Sequence, residues 1–401
     1  MYLKNIMNKL RFLTAGESHG KGLIGILEGI PAGLSLSLED IDKELKRRQM
    51  GYGRGSRMKI ETDHADIISG VRWGNTIGSP ISLLIENKDW KNWQDIISPE
   101  LKVQSSESKD HRFLPVTRPR PGHADFAGVL KYGHKDIRNI LERSSARETA
   151  MRVAIGAIAK RFLLEFGINI GSYVIQIGNV GIKKSAPRSQ KSDLEELSEK
   201  AEASPVRCPD DEVSQKMIEL IDEAVQKGDT VGGVFEVFVT GVPIGLGSHI
   251  QWDKRLDGRI SQALMGIQAI KGVEIGTGFE MAERFGSEVM DEIFYEGPSS
   301  GFYRETNHAG GIEGGMTNGM PIIIRAAMKP IPTLRKPLRS VDIVTKEPFE
   351  AAYERSDTCA VPAATIIGEA MTALVIADAF LEKFGGDSMD ETKRNVKAYM
   401  D

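Results

Sequence analysis

Four segments gather residue types that move protons or hold anions. Thr14-Ala-Gly-Glu-Ser-His-Gly20 places His19 between Ser18 and Gly20 in a tight turn. Glycines there allow a ligand close to the backbone. Arg118-Pro-Arg-Pro-Gly-His-Ala-Asp125 fixes Arg120 between two prolines and sets His123 two residues before Asp125. An imidazole and a carboxylate can therefore serve one site, and histidine is the usual proton carrier near neutral pH. Arg47-Arg-Gln-Met-Gly-Tyr-Gly-Arg-Gly-Ser-Arg57 is the third segment. A helix C-terminal dipole accounts for Arg47 and Arg48, but Arg54 and Arg57 lie on a glycine loop and suit bidentate contact with phosphate or carboxylate. In Glu142-Arg-Ser-Ser-Ala-Arg-Glu148, Ser145 and Glu148 have the spacing of a capping box that opens a long helix. Arg143 and Arg147 then sit at the end that disfavours cations, which makes sense if an anion lies between them. Lys329-Pro-Ile-Pro-Thr333 and Arg355-Ser-Asp-Thr358 are similar in kind, the latter leading into another helix.

The competing reading of each segment is structural: a turn histidine held by backbone, a capped helix with surface arginines, a solvated basic loop. Together they describe a site for a small, multiply charged anion, with His and Asp for proton transfer. There is no P-loop, strand–GxGxxG–helix, nucleophile elbow or metal-ligand spacing. An RNA-binding loop using the Gly-Arg run is a rival; it predicts salt-sensitive polyanion binding and dispensable histidines. The charge distribution disfavours it. Net charge is −4, yet Lys46–Lys59 holds six cations and Lys329–Arg339 four, both without an acid, so the rest of the chain is strongly acidic.

The elements that must position these residues are legible in 401 residues with 40% hydrophobic content. Two cysteines, Cys208 and Cys359, exclude a disulfide scaffold and suit a reducing cytoplasm. No apolar run stands out as a membrane span, and the first ten residues lack a signal-peptide core. Gly29-Ile-Pro-Ala-Gly-Leu34 recurs as Gly241-Val-Pro-Ile-Gly-Leu246. Gly70-Val-Arg-Trp-Gly-Asn-Thr-Ile-Gly-Ser-Pro-Ile81 recurs, in the same order, as Gly311-Ile-Glu-Gly-Gly-Met-Thr-Asn-Gly-Met-Pro-Ile322. This reads as a duplicated unit whose halves share one core. Expected strands are Leu10–Leu13, Leu23–Leu27, Ser79–Glu86, Ser172–Val180, Val231–Thr240 and Met320–Met328. Expected helices start at Ser37 and span Ala146–Phe166 and Pro362–Phe384. Residues 1–7 read as an extension, 8–385 as one domain (halves 8–170 and 230–385, polar insertion 183–216) and 386–401 as a tail. Val231–Thr240, apolar on both faces, needs cover from helices or another chain. The loops 48–57 and 111–120 are expected to be loosely ordered without ligands, because their arginines repel one another.

The motifs at 14–20, 51–61, 120–125, 143–150, 310–319, 328–333 and 355–363 resemble those of the chorismate synthase family, in the family's order. The resemblance implies an α+β fold, a β-α-β sandwich with an internal pseudo-twofold repeat and helices layered with antiparallel sheets, assembled as a homotetramer in the cytoplasm. It implies a lyase of the shikimate pathway of aromatic amino acid biosynthesis. The reaction is anti 1,4-elimination of phosphate from 5-enolpyruvylshikimate 3-phosphate, giving chorismate. Reduced FMN is required without net redox change. By motif match, His19 would protonate the leaving phosphate, His123 the reduced flavin, and Asp357 would assist at the flavin. Ser18, Arg48, Arg54, Arg57, Arg120, Arg147 and Arg355 would bind substrate. Arg143, Ser144, Ser145, Gln268, Ala269, Gly314, Lys329, Pro330, Ile331, Pro332, Thr333 and Arg355 would contact FMN, and Arg48 and Arg54 match NADP positions. No metal, nucleic acid or membrane partner is implied. Whether NADPH reduces the flavin on this chain stays open; without a reductase domain the expectation is an external flavin reductase.

Overall fold

Two antiparallel sheets enclose a layer of helices in the computed structural model. It describes residues 9–55, 62–99, 113–182, 190–297, 301–336, 338–350 and 357–400. Arg57, Arg355 and the expected extension lie outside the described residues, as does 183–189 of the insertion. In the first sheet β1 (Arg11–Ala15), β2 (Gly22–Glu28), β3 (Asp66–Ser69) and β4 (Ile81–Glu86) pair in the order β1-β2-β4-β3. In the second, β5 (Asn169–Ile177), β6 (Val180–Gly181), β7 (Gly233–Thr240), β8 (Ile270–Ile275) and β9 (Ile322–Met328) pair in the order β6-β5-β7-β9-β8. With β6 set aside, the second sheet repeats the first strand for strand. Helices longer than a single turn are, among the described residues, α1 (Leu38–Gln49), α2 (Asp125–Tyr132), α3 (Arg138–Ser144), α4 (Thr149–Leu164), α5 (Lys191–Ala203), α6 (Asp211–Lys227), α7 (Leu256–Met265), α8 (Val361–Phe384) and α9 (Met389–Met400). Of these, α1, α4, α7 and α8 fill the space between the sheets.

The repeated motifs are visible in the sequence because they bind one another. In each half the threonine of the second motif is clamped in the turn of the first. Thr76 Oγ1 donates to Pro31 O at 2.6 Å and accepts from Leu34 N at 2.9 Å. Thr317 Oγ1 does the same with Pro243 O and Leu246 N, at 2.6 and 2.8 Å. The turn glycines Gly33 and Gly245 take φ of +90° and +85°, where side chains are rarely tolerated. The expected β-α-β sandwich with an internal repeat is thus present.

Small residues set the spacing of the middle layer. A Cβ added at Gly156 of α4 would lie 2.4 Å from the Cβ of Ala370 of α8, so the two helices touch along small side chains. Helix α1 opens with the expected cap, in which Ser37 and Asp40 bond each other's backbone N–H. The long helix begins differently from expectation. Ser145 caps a single 3₁₀ turn (Ala146–Glu148), and α4 starts only at Thr149. Glu148 does not complete a capping box, because its carboxylate is drawn to Thr14, Arg152 and Gln268. Helix α8 is long and apolar enough to cross a membrane by length and composition, contrary to the reading of the sequence. Its surface is instead buried between α4, α7 and the second sheet, as the central helix of the core. Residues beyond 386 form α9, with Tyr399 edge-on to Phe384.

The two sheets differ in their outer faces. On the second, α5 of the insertion lays Leu194 and Ala201 over Tyr173, Ile175, Phe238 and Ile323. The cover that Val231–Thr240 requires therefore comes from the chain itself: α8 inside and α5 outside. On the first sheet Leu13, Ile24, Ile26 and Ile68 remain exposed.

Candidate active site

The equivalent ends of both sheets carry the functional segments. The turn between β1 and β2, the end of β4 and the approach to β3 lie at this end of the first sheet. The approach to β8 and the end of β9 lie at that of the second. Three clusters line it.

The first holds His19. Its Nδ1 lies 2.8 Å from Glu142 Oε1, and its backbone N–H donates to Glu142 Oε2 at 2.7 Å. The ring stacks on Trp93 with centroids 3.9 Å apart. Ser18 is buried and donates its N–H to the carbonyl of Glu142. Asn87, just after β4, ties the carbonyls of Glu17 and Gly20 and accepts from Arg147 Nε at 3.1 Å.

The second is an arginine nest. Asp63 receives Arg147 at 2.5 Å and Arg48 at 3.5 Å. Arg48 also donates to Thr149 Oγ1 and Ala146 O. Burial pulls the Arg48 guanidinium down to about 10; Asp63 counters this, while Arg54 and Arg147 add to it. Arg54 pairs with Asp357 at 3.2 Å, and Gly55 N–H donates to the same carboxylate at 2.6 Å. The arginines of residues 48–55 do repel one another, but the loop does not rest on that repulsion alone. Asp63 and Asp357 stand between the cations, and Tyr52 and Gly53 are hydrogen-bonded to Pro205 and Thr358. Both arginines matched to NADP are thereby engaged inside the protein.

The third cluster holds His123. Asp125, the first residue of α2, lies 2.5 Å from His123 Nδ1 and 2.9 Å from Arg120 Nε. Arg120 reaches on to Thr333 Oγ1 at 3.2 Å, and Lys329 Nζ donates to Gly122 O at 2.7 Å. A cavity of about 200 Å³ runs past Arg118, Arg120, Asp125 and Leu141. A smaller one, about 40 Å³, joins Thr333 to Asp357 and so links the third cluster to the second.

Burial opposes ionisation of Asp125, but hydrogen bonds from His123 and Arg120 outweigh it and hold its pKa well below the usual 3.8. A depressed carboxylate contributes stability that is complete above its unfolded pKa and lost as pH falls toward the folded one. Asp125→Asn should therefore cost about 3 kcal/mol at pH 7. The gap in melting temperature between variant and wild type should stay constant from pH 7 to 5 and narrow below about 4. A gap unchanged down to pH 3 would refute this.

Among the residues matched to FMN, Arg143, Gln268, Ala269, Lys329 and Thr333 gather at this end. Arg143 donates to Thr14 and Gly16 carbonyls, and Ala269 O accepts from Lys329 N. Ile331 O accepts from Thr230, between Pro330 and Pro332. Ser144 and Ser145 use their hydroxyls on Leu141 O and Arg147 N. Gly314 is not brought together with them. It lies in the hairpin at the far end of the second sheet, beside His249, with the seven-residue β9, about 23 Å long, in between. Sequence reasoning missed Asp63, Asn87, Trp93 and Thr149, and left Glu142 without a role. Glu142 alone had a signal, its place in the arginine segment.

Reduced FMN fits the residues present. Gln268 Oε1 is buried with no hydrogen-bond partner among the described residues, an acceptor suited to a flavin N–H. Burial and the nearby Lys271 charge depress Lys329, which an added phosphate would relieve.

Comparisons with known proteins bear on the whole chain. A family model described as chorismate synthase matches residues 10–381. A chorismate synthase of Aquifex aeolicus is 59% identical, covering 98% of this chain and 97% of the relative. One of Geobacter sulfurreducens is 56% identical, covering 98% of each. A crystal structure of chorismate synthase superposes with a TM-score of 0.78 at 49% identity, covering 97% of both chains. With the motifs, the sandwich and these matches in agreement, the chain belongs to the chorismate synthase family.

Proposed function

We propose that the arginine nest binds 5-enolpyruvylshikimate 3-phosphate and that the two histidines serve different protons in its conversion to chorismate. The supporting observation is the crowding of Arg48, Arg54 and Arg147, whose mutual repulsion a phosphate and two carboxylates would relieve. Arg120, and the matched Arg57 and Arg355, complete the clamp in this reading. His19, Ser18 and Arg147 share one wall, so His19 attends the leaving phosphate. His123, beside Arg120, Lys329 and Thr333, faces the flavin side, with Asp357 between. Gln268, Ala269, Arg143–Ser145 and Lys329–Thr333 would hold FMN; when bound, the reduced flavin supplies transient electron density and accepts the ring proton. Gly314 joins this set only if a second copy contributes it. Turnover of the substrate under anaerobic conditions, with chemically reduced FMN or with oxidised FMN plus NADPH, tests the reading. Turnover with reduced FMN but none with oxidised FMN plus NADPH fits an external reductase; turnover with oxidised FMN plus NADPH places reduction on this chain.

The assembly is a cytoplasmic homotetramer in this reading, with the bare face of the first sheet as a contact. Ile24→Glu with Ile26→Glu should lower the mass found by light scattering at micromolar concentration. A monomeric wild type would overturn it.

A further inference from the structure

We infer that Glu142 is the positioning residue of His19, fixing its tautomer and ring direction; the catalytic part of this rests on His19 acting as a proton carrier, as proposed above. Glu142 holds three points of the turn that carries His19. Its carbonyl accepts from Ser18 N at 3.0 Å, its Oε2 from His19 N at 2.7 Å, and its Oε1 meets His19 Nδ1 at 2.8 Å. Its side chain is only 4% exposed. A carboxylate that already takes a backbone N–H on one oxygen can only accept on the other. The proton must therefore sit on Nδ1, which makes Nε2 the nitrogen for proton traffic. Trp93 sets the remaining freedom, the ring plane: it stacks at 27° and is itself anchored by its Nε1–H to Asp89 at 2.9 Å. A turn clamp alone would need the backbone contacts but not the one to Nδ1. Asp125 stands to His123 as Glu142 does to His19, so each imidazole has a buried carboxylate on Nδ1.

Glu142→Gln separates the possibilities. An amide cannot accept on both sides: with its oxygen on the His19 backbone N–H it turns an N–H toward Nδ1, so Nδ1 must give up either its proton or this bond while shape is kept. In ¹⁵N-histidine spectra, wild type should show His19 as the Nδ1–H form with a slowly exchanging downfield proton. The variant should show a mixture of tautomers and fast exchange. Its kcat should fall about 10²-fold with KM within a factor of two. Glu142→Asp, which keeps the charge at shorter reach, should recover part of both and serves as the probe should Glu142→Gln not fold. An unchanged tautomer and exchange rate in these variants would overturn the inference. An altered tautomer with unchanged kcat would uphold the positioning and instead remove His19 from the proposed reaction.

Discussion

His19→Ala and His123→Ala are each expected to slow single turnover about 10²–10⁴-fold, equivalent to about 3–5 kcal/mol of barrier. Their other effects should differ. His19 lies against Glu142 and Trp93, in the turn whose carbonyls are tied by Asn87, the partner of Arg147. Its loss should leave FMN affinity and the spectrum of bound reduced flavin near wild type. His123 shares Asp125 with Arg120, which touches Thr333. Its loss should change the reduced-flavin absorption spectrum, because the protonation of the bound cofactor would change. Melting temperature is the control, since a purely structural histidine would lower it and spare turnover. Near-normal turnover in either variant removes that histidine from the mechanism. A normal flavin spectrum in His123→Ala leaves it catalytic but assigns it the wrong proton.

Why these histidines were legible, and their partners were not, follows from distance along the chain. His123 and Asp125 are two residues apart, so their contact could be read directly. Glu142 is 123 residues from His19, and Arg147 is 84 from Asp63; only the tertiary fold, which sets α3 and the 3₁₀ turn after it against loops of the first sheet, brings them together. The fold was more legible than the site, because the two halves use the same threonine clamp and leave the same letters twice. Helix ends were misread where tertiary demand outweighed local rules, as at Glu148, whose carboxylate serves Thr14, Arg152 and Gln268 rather than the cap. Arg147 was read from its position as placed for an anion, Arg48 only through the family resemblance. The structure adds that a buried aspartate already spaces them.

Glu369→Ala is the stability counterpart of the histidine variants, and it should cost about 3–5 kcal/mol. Glu369, on α8, is fully buried and binds Arg47 at 2.8 and 2.9 Å, Lys160 at 2.6 Å and Ser172 Oγ at 2.6 Å. Glu44 and Glu202 complete the group with Arg207, so three carboxylates face three cations across α1, α4, α5, α8 and β5. Burial opposes the charge of Glu369, yet Arg47 and Lys160 outweigh it and hold its pKa far below the usual carboxylate range. Removing it strands Arg47 and Lys160 in the helix layer with fewer partners, which is what makes a broken buried pair expensive. The unfolding midpoint in urea should drop accordingly. Arg47→Leu alone should cost less, since Lys160 still neutralises Glu369. In the double variant the loss should fall short of the sum by 1 kcal/mol or more, on the order of coupling seen for charges in contact. Additive losses would mean that the two groups are stabilised separately and that the cluster does not tie the helices together. Because Arg47 precedes Arg48 on the last turn of α1, the same variants should also weaken substrate binding, and Arg47→Leu should do so at unchanged kcat.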